Sequence, residues 1–524
     1  MLCSCVRQTD LPHSSRLFTD SLYHPDRTAP FYYSRHHDFE SVVASARQLA
    51  FPAARRAALV AALAEQNPPG ASLEKLARPD AVAVVTGQQV GLFSGPAYTI
   101  YKALTAVKVA ELVTRQGIPA VPVFWLATED HDFAEVNHAW VFDGGYHPVK
   151  LEMRRSAGAQ PVGEIALVAP PLGELREQLR TLPHGEEVAG LVEESYRPGG
   201  SMGGAFGTLL RRILAEFDIL QLNPLVPAFR ELAAPLLSAA VEATPSLVEA
   251  VLERNRELAA AGYHAQVHVE KSTSLVFLLE EGKRLALRRH ENGYVLNGRR
   301  LSTQELIGRA ASLSPNALLR PVVQDSILPT AAYIGGPSEL AYLAQSEVIY
   351  RLLLGRMPVV LPRGGFTLLD ERSHKLLKQY ELALPDFFHG EEMLRERLAA
   401  RLVPPALNTA LRNAASAVDQ ALARLHGEVA GFDPTLGAAI ERSGRKIRYQ
   451  LGKIERKTAR ETIRRDARAS RDAASLSSLV YPERHLQERL YSILPFLAKH
   501  GVDLPHRLYE AVDPHCPDHR LVVV

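Results

Sequence analysis

The sequence predicts an α/β protein built around a parallel sheet. Three observations carry that expectation. Apolar runs of strand length occupy 81–85 and 120–126, a glycine-rich turn and a helix-compatible stretch separate them, and the strand, glycine turn, helix order recurs at 331–345. A run that is apolar at every position suits a strand buried on both faces, as parallel sheets require. A chain of 524 residues exceeds one compact core, so about two to four units are expected. Hydrophobic residues make up 46% and charged residues 23%, the globular range, which excludes a disordered or membrane-spanning chain. The net charge of +2 gives no global reason to expect a nucleic acid or membrane partner. Cys3, Cys5 and Cys516 form neither a disulfide framework nor a zinc-ribbon spacing, and the first twenty residues lack the apolar stretch of a secretory signal. A cytoplasmic protein is expected.

Taken in order, 1–80 reads as an N-terminal helical cap, with an alanine-rich helix at 41–65 ended by Asn67-Pro68-Pro69-Gly70 and a shorter one near 73–76. The first half of the core, 81–149, holds the strand at 81–85, a turn at 86–96, a helix at 97–115 and a strand at 120–126. Strand, turn, helix, strand is a βαβ unit with a right-handed crossover. An insertion at 150–215 carries helical patterns and Gly199, Gly200, Gly203 and Gly204, and the core resumes at 216–264 with a strand at 217–222 and a helix at 233–261. A second insertion, 265–313, reads as a β-meander, because Glu281-Gly282, Asn292-Gly293 and Asn297-Gly298 separate short runs; Ser302 and Glu305 have capping-box spacing. The second half of the core spans 314–385, with strands at 331–334 and 357–361. In 386–480, Leu411, Ala415, Val418, Leu422, Leu425 and Val429 follow heptad steps, Gly431-Phe432-Asp433-Pro434 breaks the helix, and Ile440, Gly444, Ile447, Leu451, Ile454 and Thr458 resume the spacing. An antiparallel α-helical coiled-coil hairpin follows. The last segment, 481–524, is expected to pack back on the core.

Three motifs could carry chemistry. The turn after Val85 contains Thr86, Gly87, Gln88, Gln89, Gly91, Ser94 and Gly95 ahead of a helix, where glycines admit a close backbone approach and helix N–H groups face an anion. Its spacing is neither the dinucleotide fingerprint nor a P-loop, and a tight connection without ligand explains it equally well. Glu129, Asp130, His131 and Asp132 follow the strand that holds Trp125, so they project from the carboxyl edge where ligands of open α/β sheets bind. Carboxylates around an imidazole can bind a cation, hold an ammonium group or tune His131 as a general base; the alternative is a solvated acidic loop. Neither a cysteine nor a His-x-x-x-His pair gives metal spacing there, and no metal is expected. The third motif, Gly335-Gly336-Pro337-Ser338-Glu339, repeats the glycine elbow, and Tyr342 lies one helical turn beyond Glu339. The basic helix with Arg442, Arg445, Lys446, Arg456, Lys457 and Arg460 reads first as a solvated coiled-coil face, with nucleotide or nucleic acid binding as the minority alternative.

The order and spacing of Thr86-Gly87-Gln88-Gln89, Phe124-Trp125, Glu129-Asp130-His131-Asp132-Phe133, Asn137-His138, Ser314-Pro315-Asn316, Leu319-Arg320-Pro321, Gln324-Asp325, Gly335-Gly336-Pro337-Ser338-Glu339 and Leu486-Gln487-Glu488-Arg489 closely resemble the cysteine-adding enzyme family of bacillithiol biosynthesis, BshC. The resemblance spans nearly the whole chain. It implies a Rossmann-like core similar to class I aminoacyl-tRNA synthetases, two connecting insertions and a coiled coil that makes a homodimer. It also implies a ligase that joins cysteine to glucosaminyl-malate through an amide, with ATP or another nucleotide supplying an acyl-adenylate. The implied substrate-binding set adds Trp125, Asn137, Asn316, Arg320, Gln324 and Asp325 to the three motifs. A second nucleotide pocket between core and coiled coil is implied at Arg445, Lys446, Gln487 and Arg489. The chain departs from the synthetases in lacking a His-x-Gly-His signature, and Lys271-Ser272-Thr273-Ser274 only partly matches their lysine loop. The competing readings are a non-catalytic nucleotide-binding or scaffold protein, and an RNA-binding synthetase relative.

Overall fold

A computed structural model describes residues 3–154, 158–291 and 293–524. Its centre is a five-stranded parallel sheet. In chain order the strands are Val82–Gln89, Ala120–Ala127, Leu220–Leu222, Thr330–Gly335 and Val359–Pro362, and across the sheet they run fifth, fourth, first, second, third. The first strand therefore has the second on one side and the fourth on the other. The chain winds outward in one direction from it and then returns to wind in the other, which creates a topological switch point between the first and fourth strands.

The continuous apolar runs have a direct structural cause. Along the first strand, Val82 and Val84 join a cluster with Val109 and Val113 of helix Tyr98–Arg115, whereas Ala83 and Val85 join one with Leu237, Val241 and Leu340 on the opposite face. Each alternation thus meets a helical layer, and no position is left for a polar residue. The strand is longer than the apolar run suggests, because pairing continues from Thr86 opposite Phe124 to Gln89 opposite Ala127. Thr86, expected in the turn, is a buried interior strand residue whose hydroxyl donates to Ile334 O at 2.9 Å.

Other boundaries also shift for identifiable reasons. The single helix expected at 41–65 is two, Phe39–Gln48 and Ala53–Ala64, because Pro52 keeps the residue before it out of the helical region. The third core strand is reduced to Leu220–Leu222, and the helix after it begins earlier, with Pro227 in the first turn, and runs to Ala260. Pro227–Ala260 is the one helix among the described residues long and apolar enough for a membrane span. Its buried Phe229, Leu237, Val241, Leu247 and Val251 make it the core helix of one sheet face.

The meander is present as Thr273–Glu280, Lys283–His290, Gly293–Leu296 and Arg299–Ser302, and the Ser302–Glu305 capping box closes in both directions. The turn signal Asn292-Gly293 falls partly outside the described residues. The N-terminal segment is not wholly helical. Strand Cys3–Val6 pairs antiparallel with His519–Val523, which pairs parallel with Gly365–Leu369, so both ends of the chain meet beside the core. In the C-terminal region, helices Pro405–Phe432 and Pro434–Arg465 form the hairpin, linked by Arg448 to Asp419 at 2.7 Å, and Glu391–Leu402 packs alongside as a further helix.

Candidate functional site

A cavity of about 940 Å³ opens at the carboxyl edge of the sheet, at the switch point. The first elbow (Gly87, Gln88, Gln89), the acidic loop (Glu129, Asp130, His131, Asp132) and the second elbow (Gly336, Ser338, Glu339) all line it, joined by Trp125, Asn316, Arg320, Tyr342 and Arg489. Gly87 permits the close strand approach at its floor, since a Cβ there would lie 2.9 Å from Trp125 O.

Several expected residues lie elsewhere. Gly91, Ser94 and Gly95 belong to a left-handed turn, with φ of 51° at Phe93 and 73° at Ser94, that is fastened to neighbouring segments: Phe93 N–H donates to Tyr196 OH at 2.9 Å, and Ser94 Oγ meets Ser492 Oγ at 3.3 Å. Several of its N–H groups are taken, Gly91 by Gln89 O, Gly95 by Leu92 O and the following Ala97 by Tyr491 O, and none of Gly91, Ser94 and Gly95 lines the cavity. Gly335 is backbone support, its carbonyl accepting from Arg363 N–H. Asn137 donates to Glu152 at 3.2 Å away from the cavity. Gln324 and Asp325 are buried beneath Arg320: Gln324 accepts from Arg320 and donates to Asp325, which also accepts from Tyr350, and burial pushes the Asp325 carboxyl up. Arg445 and Lys446 are exposed on the coiled coil, whereas Gln487 is buried and clamps the Leu368 backbone by accepting at 2.7 Å and donating at 3.0 Å. The four residues of the expected second pocket are not gathered at the cavity, which takes Arg489 alone.

Motif reading missed several charged residues. Lys102, in helix Tyr98–Arg115, is buried and pairs with Glu339, while its ammonium donates to Gly87 O at 2.9 Å and Gln88 Oε1 at 3.0 Å. It therefore bolts one elbow to the other. Burial pushes Lys102 down, and Glu339 opposes this; burial alone would raise Glu339, yet the Lys102 charge and the Tyr333 and Gly336 hydrogen bonds hold it low. Both Glu339 oxygens are occupied, one by Tyr333 OH at 2.6 Å and the other by Gly336 N–H at 2.7 Å and Lys102. At the helix start that could cradle an anion, the capping residue thus takes the Gly336 N–H for itself.

On the same wall, buried Arg363 forms a bidentate pair with Glu488 at 2.6 and 2.8 Å, and Arg320 donates to Gln324, Tyr333 and Tyr342 without a carboxylate partner among the described residues. Four cations, Arg320, Lys102, Arg363 and Arg489, here face two carboxylates, Glu339 and Glu488.

A second group of lining residues is acidic. Glu129 is buried against Arg230, which also holds the carbonyls of Ala311 and Leu313. Asp130 accepts from Gln89 at 2.8 Å and from His131 N–H at 2.7 Å; burial would raise it, but the Gln89 bond and the Arg284 charge prevail and hold it low. Arg284, from the meander, stacks 3.8 Å over Phe277 and donates to His131 Nδ1 at 3.1 Å. Because a guanidinium only donates, Nδ1 is the acceptor and a neutral His131 presents Nε2–H outward. Asp132 caps helix Phe133–Val136, and Asp132 and Glu135 have no ion-pair partner among the described residues. No cluster of three or more metal-type side chains occurs among the described residues. The one sequence signal that could have found Lys102 is charge inside an otherwise apolar pattern, a lysine among the apolar residues of 98–113, whereas Arg284 lies in a strand with other basic residues and carries no such mark.

A doubly wound parallel sheet with a charge-divided cavity at its switch point and a coiled-coil appendage defines a Rossmann-like, small-molecule α/β protein. Residues 1–364 match the family model described as the bacillithiol biosynthesis BshC N-terminal Rossmann-like domain, and 366–524 match the BshC C-terminal coiled-coil domain. The chain belongs to the BshC family. Relatives named "Putative cysteine ligase BshC" include one from Solibacter usitatus, 63% identical over 524 residues and covering all of both chains. Others come from Koribacter versatilis, 38% identical over the whole of both chains, and Symbiobacterium thermophilum, 34% identical over 87% of this chain and 88% of the other.

Proposed function

We propose that this protein is a cytoplasmic ligase that forms an amide between the carboxyl group of cysteine and the amine of glucosaminyl-malate, the cysteine-adding step of bacillithiol biosynthesis. The observation that carries this reading is the division of charge within one cavity, between a cation-rich group of Lys102, Arg320, Arg363 and Arg489 and an acid-rich group of Glu129, Asp130, Asp132 and Glu135. Both substrates carry an amine and carboxylate at separate points, and a cavity with separated signs orients such molecules better than one of uniform charge. In this reading Asp132 and Glu135, the acids without cation partners, receive ammonium groups, and His131 Nε2–H donates to the acyl oxygen as it gains charge. Glu129, Asp130 and Glu339 are positioning groups, since each already has a cation partner within the chain, Arg230, Arg284 and Lys102 respectively.

Joining a carboxylate to an amine in water requires activation, and a nucleotide-derived acyl-adenylate is the activation we assign. Its phosphates would meet the cations Lys102, Arg320 and Arg363, since at the second elbow Gly336 N–H is taken by Glu339 and Pro337 has none. The coiled coil is read as the homodimer contact, supported by the apolar Leu425, Ile447 and Ile454, which are 50%, 41% and 51% exposed on one chain.

The test is incubation of the purified chain with cysteine, glucosaminyl-malate and ATP, with mass spectrometry for the condensed thiol. Product that depends on all three supports the reading. No product across several nucleotides and divalent metals overturns it in favour of a non-catalytic scaffold.

A further inference from the structure

Arg489 differs from every other cation in the cavity. Lys102 is paired with Glu339, Arg363 with Glu488 and Arg284 with Asp130, while Arg320 spends its donors on Gln324 and two tyrosines. No side-chain hydrogen bond or ion pair of Arg489 occurs among the described residues, although it stands beside a second guanidinium, Arg363, and near Tyr98.

Its backbone is nevertheless held rigidly. Gln487 clamps the strand Gly365–Leu369 through the Leu368 N–H and carbonyl, and Glu488 accepts from Phe366 N–H at 3.0 Å while gripping Arg363. Two successive buried polar side chains therefore fix the tripeptide, and the third enters the cavity from a segment outside the N-terminal Rossmann-like unit. A like-charged pair that is precisely anchored but only half neutralised leaves a site for an anion.

We propose that Arg489 is a specificity-determining residue that binds a carboxylate of the acceptor's malyl group, with Glu488 as its positioning residue. This rests on the acceptor named in the preceding subsection. A carboxylate fits better than a phosphate for two reasons. One free guanidinium fork matches a planar carboxylate in bidentate fashion. Polyphosphate sites recruit runs of backbone N–H groups, and at the second elbow Gly336 N–H is taken by Glu339 while Pro337 has none to give.

The experiment is calorimetric binding of glucosaminyl-malate, methyl glucosaminide and inorganic pyrophosphate to the full chain and to its Arg489→Gln and Arg489→Lys variants. Wild type is expected to favour glucosaminyl-malate over methyl glucosaminide. Arg489→Gln should reduce that preference by roughly 10- to 100-fold while binding methyl glucosaminide as before, with Arg489→Lys between. Retention of the full preference in Arg489→Gln overturns the assignment. So does a loss of pyrophosphate binding with the malyl preference intact. Absence of any preference in wild type instead refutes the acceptor reading itself, which keeps the two failures separate. The exposed position of Arg489 predicts unchanged melting, and a lowered melting temperature in both variants would mark a structural role.

Discussion

Replacing Lys102 with methionine tests the idea that one buried ammonium couples the two elbows. Methionine nearly conserves the volume but removes three contacts: the pair with Glu339 and the bonds to Gly87 O and Gln88 Oε1. Removing one partner of a buried pair costs about 3–5 kcal/mol, because the other charge is left uncompensated. Tyr333 and Gly336 still donate to Glu339, which favours the lower end, about 3 kcal/mol. For a unit the size of the Rossmann-like domain that corresponds to a fall in melting temperature of roughly 4 °C.

The pH dependence makes the test sharper. In the native protein Glu339 is held below its ordinary range, so it contributes stability above that range and loses it as pH falls. Without Lys102 the burial effect dominates and raises Glu339, so the variant should be least impaired near pH 4–5 and lose stability as pH rises. Thermal unfolding of wild type, Lys102→Met and Lys102→Met/Glu339→Gln at pH 5 and pH 8 checks this. The deficit of the single variant should be larger at pH 8, and the double variant should recover part of it. An equal deficit at both pH values, or none, would refute the coupling.

Three further outcomes are expected. His131→Asn should reduce turnover about 100-fold with melting unchanged, and unchanged turnover in the mass-spectrometric assay rejects a role for its outward N–H. His37 and His500 are pushed down to about 4, chiefly by burial. A histidine neutral when folded but protonated when unfolded favours the native state above about 6.5, and that advantage erodes down to about 4. His37→Asn, which can keep a donor to Val360 O, should therefore flatten the acid limb of a denaturation curve by on the order of 1–3 kcal/mol; an identical limb refutes this. Leu425→Glu with Ile454→Glu should convert a dimer to a monomer in sedimentation without loss of helicity, and a retained dimer removes the coiled coil as the contact.

How much of this molecule is legible without coordinates follows from the range of the forces involved. Apolar runs reveal the core strands because burial on two faces leaves no tolerated polar position, as at Val82 to Val85. Heptad spacing reveals the hairpin, and Ser302 with Glu305 reveals a helix start, because each is a local periodicity or cap. Motif order along the chain likewise suffices to recognise the family.

The tertiary structure alone decides which polar groups of those motifs are free. Gly91, Ser94 and Gly95 look like a ligand cradle in isolation, but Tyr196 and Ser492, more than 100 and almost 400 residues away, fasten that turn. Glu339 reads as part of a substrate-binding elbow until Lys102, Tyr333 and the Gly336 N–H are found to fill both its oxygens. Arg489 reads as part of a separate pocket, yet the buried anchors Gln487 and Glu488 deliver it into the main cavity. Sequence records a side chain's capacity to bond, whereas the partner that exhausts that capacity is set by long-range packing.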